Sequence, residues 1–275
     1  MPVINGQASH GILHASCPAV QSLVSSHSVS TVGMLSRLDR AGFSVLAECR
    51  GESGAIGGGD FYTIAVRAPG QIGVVVGDTC GRGADGEAQL SRILPRLHEL
   101  ALSGVSPGAL LTELNRTVVS VLPMDRFVTG AAFELDVRAG TFTVANAAHV
   151  PAIVRRARSR YVSVVGRPSG SPLGIAKNAT YLAERHELSR GDVIVLMTDG
   201  VLEAVESDLV TMSTLKRLLA EASGGAREVH RILLRKFEEC TKGRRADDMT
   251  LLVLEVTPTA SWISRDRVER CACLS

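Results

Sequence analysis

Residues 57–86 read GGGDFYTIAVRAPGQIGVVVGDTCGRGADG, and this stretch decides the fold. Two apolar runs, residues 62–67 and 72–76, flank Ala68-Pro69-Gly70-Gln71, a turn signal. Strands joined by so short a connection pair antiparallel, since a parallel pair needs a long crossover. The same arrangement recurs downstream. Residues 128–136 and 141–145 flank Val137-Arg138-Ala139-Gly140. Short strands are expected at 152–154 and 161–164, and later ones at 192–197 and 250–256.

Helical periodicity falls in two blocks. Leu90, Ile93, Leu94, Leu97 and Leu100 recur at three and four residues. A second helix opens at Ser106-Pro107, a capping residue followed by proline in the first turn, and carries Leu110, Leu111, Leu114 and Val118 on one side. Near the end, Leu215, Leu218 and Leu219 form one stripe, and Val229, Ile232, Leu233 and Phe237 another. Strands in runs with helices in pairs predict a layered α+β fold rather than a doubly wound parallel sheet.

Composition narrows the function. The chain has 275 residues, 45% hydrophobic and 21% charged, enough for one sizeable core. A net charge of +2 and 4% aromatic residues give no global sign of a nucleic-acid or membrane surface. There is no apolar run of about 18 residues to span a bilayer. MPVINGQASHGILHAS lacks the basic-then-apolar order of a secretory signal. Cys17, Cys49, Cys80, Cys240, Cys271 and Cys273 show no framework spacing, so a reducing, cytoplasmic setting is the expectation. Strong patterning runs from Phe43 to Val256. Residues 1–40 read as an extension, partly ordered at best, residues 41–257 as the folded domain, and 258–275 as a tail. The Cys271-Ala272-Cys273 tail lacks the partner residues of a zinc site.

The chemistry lies in acids at strand ends. Asp60 closes Gly57-Gly58-Gly59-Asp60, just before an apolar strand. Asp78 ends the run 72–77. Asp199 ends the run 193–198 and precedes Gly200. Asp247 and Asp248 precede the run 249–254. A carboxylate at the end of a buried strand is costly unless it is paired or ligates a cation. Glycines beside these acids let backbone approach a ligand closely. Hard oxygen donors without clustered His or Cys suit Mg²⁺ or Mn²⁺ rather than zinc. Each Asp-Gly alone could be an ordinary turn; their joint order along the chain is what carries weight.

That order resembles a known family. GGGDFY, VVVGDTCGRGADG, VLMTDGVLEA and ADDMTLLVLEV are similar to the metal-dependent protein phosphatases (the PPM, or protein phosphatase 2C, superfamily), in particular the bacterial SpoIIE-like branch. RFVTGAAFELD, NAAHVPAIV, SGSPLGI and LSRGDVIVLMTDG fit the same branch, and the resemblance spans roughly residues 41–256. It implies a four-layer α-β-β-α sandwich, two antiparallel sheets face to face with helices outside. It also implies a centre of two Mn²⁺ or Mg²⁺ ions held by Asp60, Asp78, the Thr79 carbonyl, Asp199 and Asp247. Asp248 would be the member of the adjacent pair that does not ligate. Paired cations about 3.5–4 Å apart can bridge and acidify a water, which would attack phosphorus in line and need no Cys or Ser nucleophile.

The resemblance further implies a phosphoserine or phosphothreonine protein substrate, in this branch often a STAS-type anti-anti-sigma factor in partner-switching or stress signalling. Regulation would come from a separate partner, from the extension, or from self-association as a homodimer. Two departures stand out: Thr63 where the branch often has another Asp, and Arg82 where a His usually lies between the glycines of the second motif. Arg82 could bind the substrate phosphate through its guanidinium, or be a solvated loop arginine. His149 could protonate the leaving oxygen or be a structural turn histidine. Arg155, Arg156, Arg158 and Arg160 read as a solvated face, or as a patch that steers an anionic phosphoprotein. Cys80 beside the second motif reads as a packing residue rather than a catalytic one. A phosphatase-like module that sequesters a partner without turnover, and a phosphohydrolase acting on nucleotides or small phosphate esters, are the rival readings; no P-loop or dinucleotide fingerprint supports the latter.

Overall fold

The computed structural model describes residues 12–16, 32–34, 42–50, 58–68, 70–81, 83–203, 211–241 and 248–257. The expected hairpins form as two mixed-order antiparallel sheets. The first runs β1 (Ile12–Ser16), β4 (Asp60–Ala68), β5 (Gln71–Thr79), β6 (Val128–Asp136), β7 (Thr141–Ala147), β10 (Ala183–Glu187). The second runs β2 (Val32–Met34), β3 (Phe43–Arg50), β12 (Met249–Val256), β11 (Val193–Met197), β8 (Ala152–Arg155), β9 (Val162–Val165). Helices α1 (Gly83–Leu102) and α2 (Pro107–Val121) cover the first sheet. The short α3 (Gly200–Glu203) and the longer α4 (Met212–Glu221) and α5 (Ala226–Thr241) cover the second. This is the α-β-β-α sandwich.

Period-two alternation sorts every strand between two apolar layers. Tyr62, Ile64, Ile72, Val74, Val76, Phe133 and Phe142 point between the sheets, where they meet Phe43, Val45, Ile194, Leu196, Leu252 and Leu254 from the second. Phe61, Val75 and Ala132 point the other way, under Leu90, Ile93, Leu97, Leu111 and Leu114 of the helices. Burying each large aliphatic or aromatic side chain contributes about 1.5–3 kcal/mol, so the inter-sheet layer fixes sheet spacing. The Ser106 hydroxyl accepts from Ala109 N and Pro107 occupies the first turn of α2, as the sequence predicts.

Three differences from the sequence expectations have clear causes. Strands β1 and β2 come from the stretch read as an extension; they add at sheet edges, β1 on β4 and β2 on β3, through backbone pairing that needs no apolar alternation. Strand β10 has the sequence AERHE and is largely exposed, so no hydrophobic pattern announces it. The arginine cluster is only partly a solvated face. Arg155 is buried, and its guanidinium donates to the carbonyls of Leu219, Ala222 (2.7 Å) and Gly224. Arg160 donates to the carbonyls of Ala222 and Glu221, and Arg156 to Asp192 at 2.8 Å. Arg155 and Arg160 close the C-terminal end of α4, where backbone carbonyls have no helical partners. Arg158 and Arg160 are the exposed members of the group. Among the described residues no helix is long and apolar enough to cross a membrane.

Candidate metal centre

Of the expected acids, Asp60, Asp78 and Asp199 lie toward one end of the sandwich, the first two because strand register brings them together. Asp60 opens β4 and Asp78 nearly closes β5, and the two are direct partners in the ladder. Thr129 on β6 is the partner of Asp78 on its other side. All three lie on the inter-sheet face, in phase with Tyr62, Val76 and Ala131. From the second sheet, Thr198 directly follows β11, and Thr250 sits at the start of β12, again on the inner face. The Thr198 hydroxyl donates to Asp60 Oδ2 at 2.7 Å and accepts from the Thr250 amide at 2.9 Å. One hydroxyl thus ties the two sheets together at an acid.

Asp60 is 2% exposed. Burial pushes its carboxyl well above the usual carboxylate range; hydroxyls of Thr198 and Thr250 counter part of this, and the nearby carboxylates of Asp248 and Asp199 push it further up. A desolvated acid with two acidic neighbours calls for a positive charge. Asp199, exposed at the end of β11, stands at the head of α3.

The glycines beside Asp60 are there for space. A Cβ on Gly59 would lie 2.6 Å from Asp78 Oδ1, 2.6 Å from the Thr79 carbonyl oxygen and 2.7 Å from Thr79 Oγ1. A Cβ on Gly58 would fall 1.7 Å from Asp248 Oδ2, and one on Gly200 would fall 1.8 Å from the Asp248 carbonyl oxygen. So a small volume beside Gly59 is bounded by oxygens from Asp78 and Thr79, with Asp248 closing the next flank. The Gly59 amide donates to Asp248 Oδ2 at 2.9 Å, and its carbonyl accepts from Thr79 N at 3.1 Å. Gly86, in the first turn of α1, abuts the Gly59 backbone: a Cβ there would be 2.8 Å from Gly59 N.

Hard oxygens in a cradle kept free of side chains fit Mg²⁺ or Mn²⁺ in donor type. Among the described residues, no three carboxylate, histidine or cysteine side chains are drawn together closely enough to hold an ion by themselves. Asp247 and Arg82 lie outside the described residues.

Sequence reasoning missed the roles of Thr198, Thr250, Gly86 and Asp248. Asp248, expected as the bystander of its pair, has its carboxylate on the Gly59 amide and its backbone against Gly200, between the first and third acidic motifs. The only sequence signal for this was the run of glycines itself. Thr63 is fully buried on the opposite face of β4 from Asp60, toward the helices, so the change from Asp at this position does not touch the oxygen cradle. Cys80 is half-buried; its Sγ accepts from Phe127 N at 3.1 Å, and its carbonyl accepts from Gln89 at 2.8 Å and Arg126 at 3.3 Å. These bonds secure the segment after Asp78.

His149 is 4% exposed. Nδ1 is 2.9 Å from Thr129 Oγ1, and Nε2 is buried with no hydrogen-bond partner of good geometry. Burial lowers its pKa to about 4, partly offset by the Met197 backbone, so the ring is neutral near pH 7. Its ring lies in the protein interior, not on the open face of the site.

This sandwich, with acids gathered at one end, is the architecture of the PP2C-type phosphatase fold. The RsbU and RsbW domains of a Mycobacterium tuberculosis protein superpose with a TM-score of 0.68 at 24% identity, covering 80% of this chain and 62% of that one. The catalytic domain of the serine/threonine phosphatase PstP, solved with two manganese ions, superposes with a TM-score of 0.56 at 15% identity over 78% of this chain and 99% of that one. Residues 68–257 match the family model described as Stage II sporulation protein E (SpoIIE), and the chain belongs to that family. It is 27% identical over 198 residues to the phosphoserine phosphatase RsbU of Bacillus subtilis, a match covering 71% of this chain and 58% of RsbU. The chain thus spans less than two thirds of this curated relative.

Proposed function

We propose that this chain is a metal-dependent protein serine/threonine phosphatase that acts on a phosphorylated protein partner in a bacterial partner-switching pathway. A STAS-type anti-anti-sigma factor is the substrate class this reading favours. The observation that carries it is the Gly59 cradle: Asp78 and Thr79 oxygens around a space barred to side chains, beside a buried Asp60 that two further acids crowd. Membership in the SpoIIE family and similarity to RsbU, a phosphoserine phosphatase, support it.

Asp60, Asp78, the Thr79 carbonyl, Asp199 and Asp247 would hold Mn²⁺ or Mg²⁺, two ions per site. Bound there, the cations would supply an acidified water and offset charge developing on the phosphoryl oxygens. The chain's own residues do the rest. Thr198 fixes the Asp60 carboxylate through one hydroxyl. Asp248 holds the Gly59 amide and so keeps the glycine backbone in place. Gly58 and Gly59 let the backbone approach the Asp248, Asp78 and Thr79 oxygens as closely as it does. Arg82, next in sequence to the first residue of α1, would meet the substrate phosphate with its planar fork of donors.

The test uses purified protein with Mn²⁺ or Mg²⁺ and three substrates: p-nitrophenyl phosphate, a phosphoserine peptide and a nucleotide, each with a chelator control. Chelator-sensitive turnover of the first two, abolished by Asp199→Asn, is expected. Full activity in that variant would remove the mechanism. Tight binding of a phosphoprotein without turnover would instead establish a sequestering module, the reading that the Arg82 departure favours.

A further inference from the structure

His149 occupies a place that its burial alone does not explain. The turn that delivers it is strained. Ala148 adopts φ 55°, a left-handed conformation costing a non-glycine residue roughly 1–2 kcal/mol. The strain is held in place by Asn146, itself 1% exposed. Its Oδ1 accepts from His149 N at 2.7 Å, and its Nδ2 donates to the His149 carbonyl at 3.0 Å and to the Gly166 carbonyl at 2.6 Å. Both backbone polar groups of His149 are therefore clamped by one buried amide.

The clamp aims the ring at two specific points. One is the hydroxyl of Thr129, the direct ladder partner of Asp78 on the same face. Directly opposed residues have Cβ atoms about 4.5–5.5 Å apart, so Thr129 flanks the Asp78 carboxylate. The other is the backbone of Met197, two residues before Asp199 and one before Thr198, whose hydroxyl binds Asp60. The ring thus bonds the first sheet next to one expected metal ligand, and its buried other side faces the second sheet just before another.

We propose that His149 is a positioning residue for the metal centre: a buried strut, acting through Thr129, that holds the Asp78 side of the site in place against the interior. This rests on the proposed metal-dependent phosphatase reading. It gives the strained Ala148 turn a purpose, since partners that orient metal-ligating groups typically change metal affinity or activity 10–100-fold when removed.

The test compares the full chain with Thr129→Val, His149→Ala, His149→Asn and the Thr129→Val/His149→Ala double variant. Readouts are direct Mn²⁺ binding by calorimetry, kcat and KM on p-nitrophenyl phosphate, and thermal stability. Thr129→Val keeps side-chain shape and loses the hydroxyl. It is expected to weaken Mn²⁺ binding roughly tenfold while KM changes less than kcat. His149→Ala should weaken binding at least as much, and His149→Asn, whose amide can reach Thr129 from near the Nδ1 position, should recover part of it. The double variant should fall short of the sum of the singles, because both act through one contact. Wild-type Mn²⁺ affinity in Thr129→Val overturns the strut, even if His149→Ala fails to fold. A wild-type chain that neither binds Mn²⁺ nor turns over phosphate ester overturns the phosphatase reading itself, a distinguishable result.

Discussion

Replacing Gly59 by alanine adds a single methyl group, and the structure says where it goes. The new Cβ would sit 2.6 Å from Asp78 Oδ1 and from the Thr79 carbonyl, and 2.7 Å from Thr79 Oγ1. Ordinary contact begins near 3.4 Å, so these oxygens must retreat by roughly 0.7–0.8 Å, at distances where van der Waals repulsion is steep. Asp78 could rotate away, but the Thr79 carbonyl is backbone. It is anchored by the Thr79 N to Gly59 O bond at 3.1 Å and the Cys80 N to Phe127 O bond at 3.0 Å. Gly59 does not have a positive φ, so backbone strain is not the issue and the effect is steric. Overpacking of this kind costs about 1–3 kcal/mol of stability, and a displacement approaching 1 Å in a site can cost on the order of 10²-fold in rate. Gly59→Ala should therefore lower Mn²⁺ affinity at least tenfold and abolish most phosphatase activity, with a drop in melting temperature of several degrees. Gly104→Ala is the control. Its φ is +76° with nothing within 4 Å of a Cβ, so it costs stability by strain and leaves metal binding intact. Calorimetric Mn²⁺ titration of both variants decides. Wild-type affinity in Gly59→Ala would show that the cradle does not hold the cation.

Two further outcomes are expected. The His149 pKa is about 4 in the folded chain against about 6.5 unfolded. The unfolded chain therefore takes up a proton first as pH falls, and stability is lost between about pH 6.5 and pH 4, by up to about 3 kcal/mol. Urea unfolding from pH 4 to 7 should show that slope in wild type and lose it in His149→Asn; an unchanged slope assigns the dependence elsewhere. Arg155→Met would leave the carbonyls of Leu219 and Gly224 without their cation at the end of α4, and that of Ala222 with Arg160 alone. A loss of about 2–4 kcal/mol in urea-derived stability is expected, and a neutral result would mean that water replaces the guanidinium.

The sequence by itself determined the hairpins, the helix pairs and the layering, because alternation with period two and recurrence at three and four residues report directly which side of each element is buried. It also placed four acidic motifs at strand ends, since glycines and acids interrupt those apolar runs visibly. The tertiary structure decided what those motifs do to one another. That Asp60 stands opposite Asp78 follows from ladder register, and that Thr198 reaches Asp60 across 138 positions follows from sheet stacking. Neither is written in any local pattern. Arg155 illustrates the same limit: a run of arginines looks solvated along the chain, and only the arrival of the α4 terminus gives the buried guanidinium its acceptors. Edge strands β1, β2 and β10 were illegible because backbone pairing at a sheet edge asks nothing of side-chain hydrophobicity. Local periodicity encodes burial, whereas the meeting of distant polar groups depends on how whole sheets dock, and that is set by the sum of the apolar contacts between them.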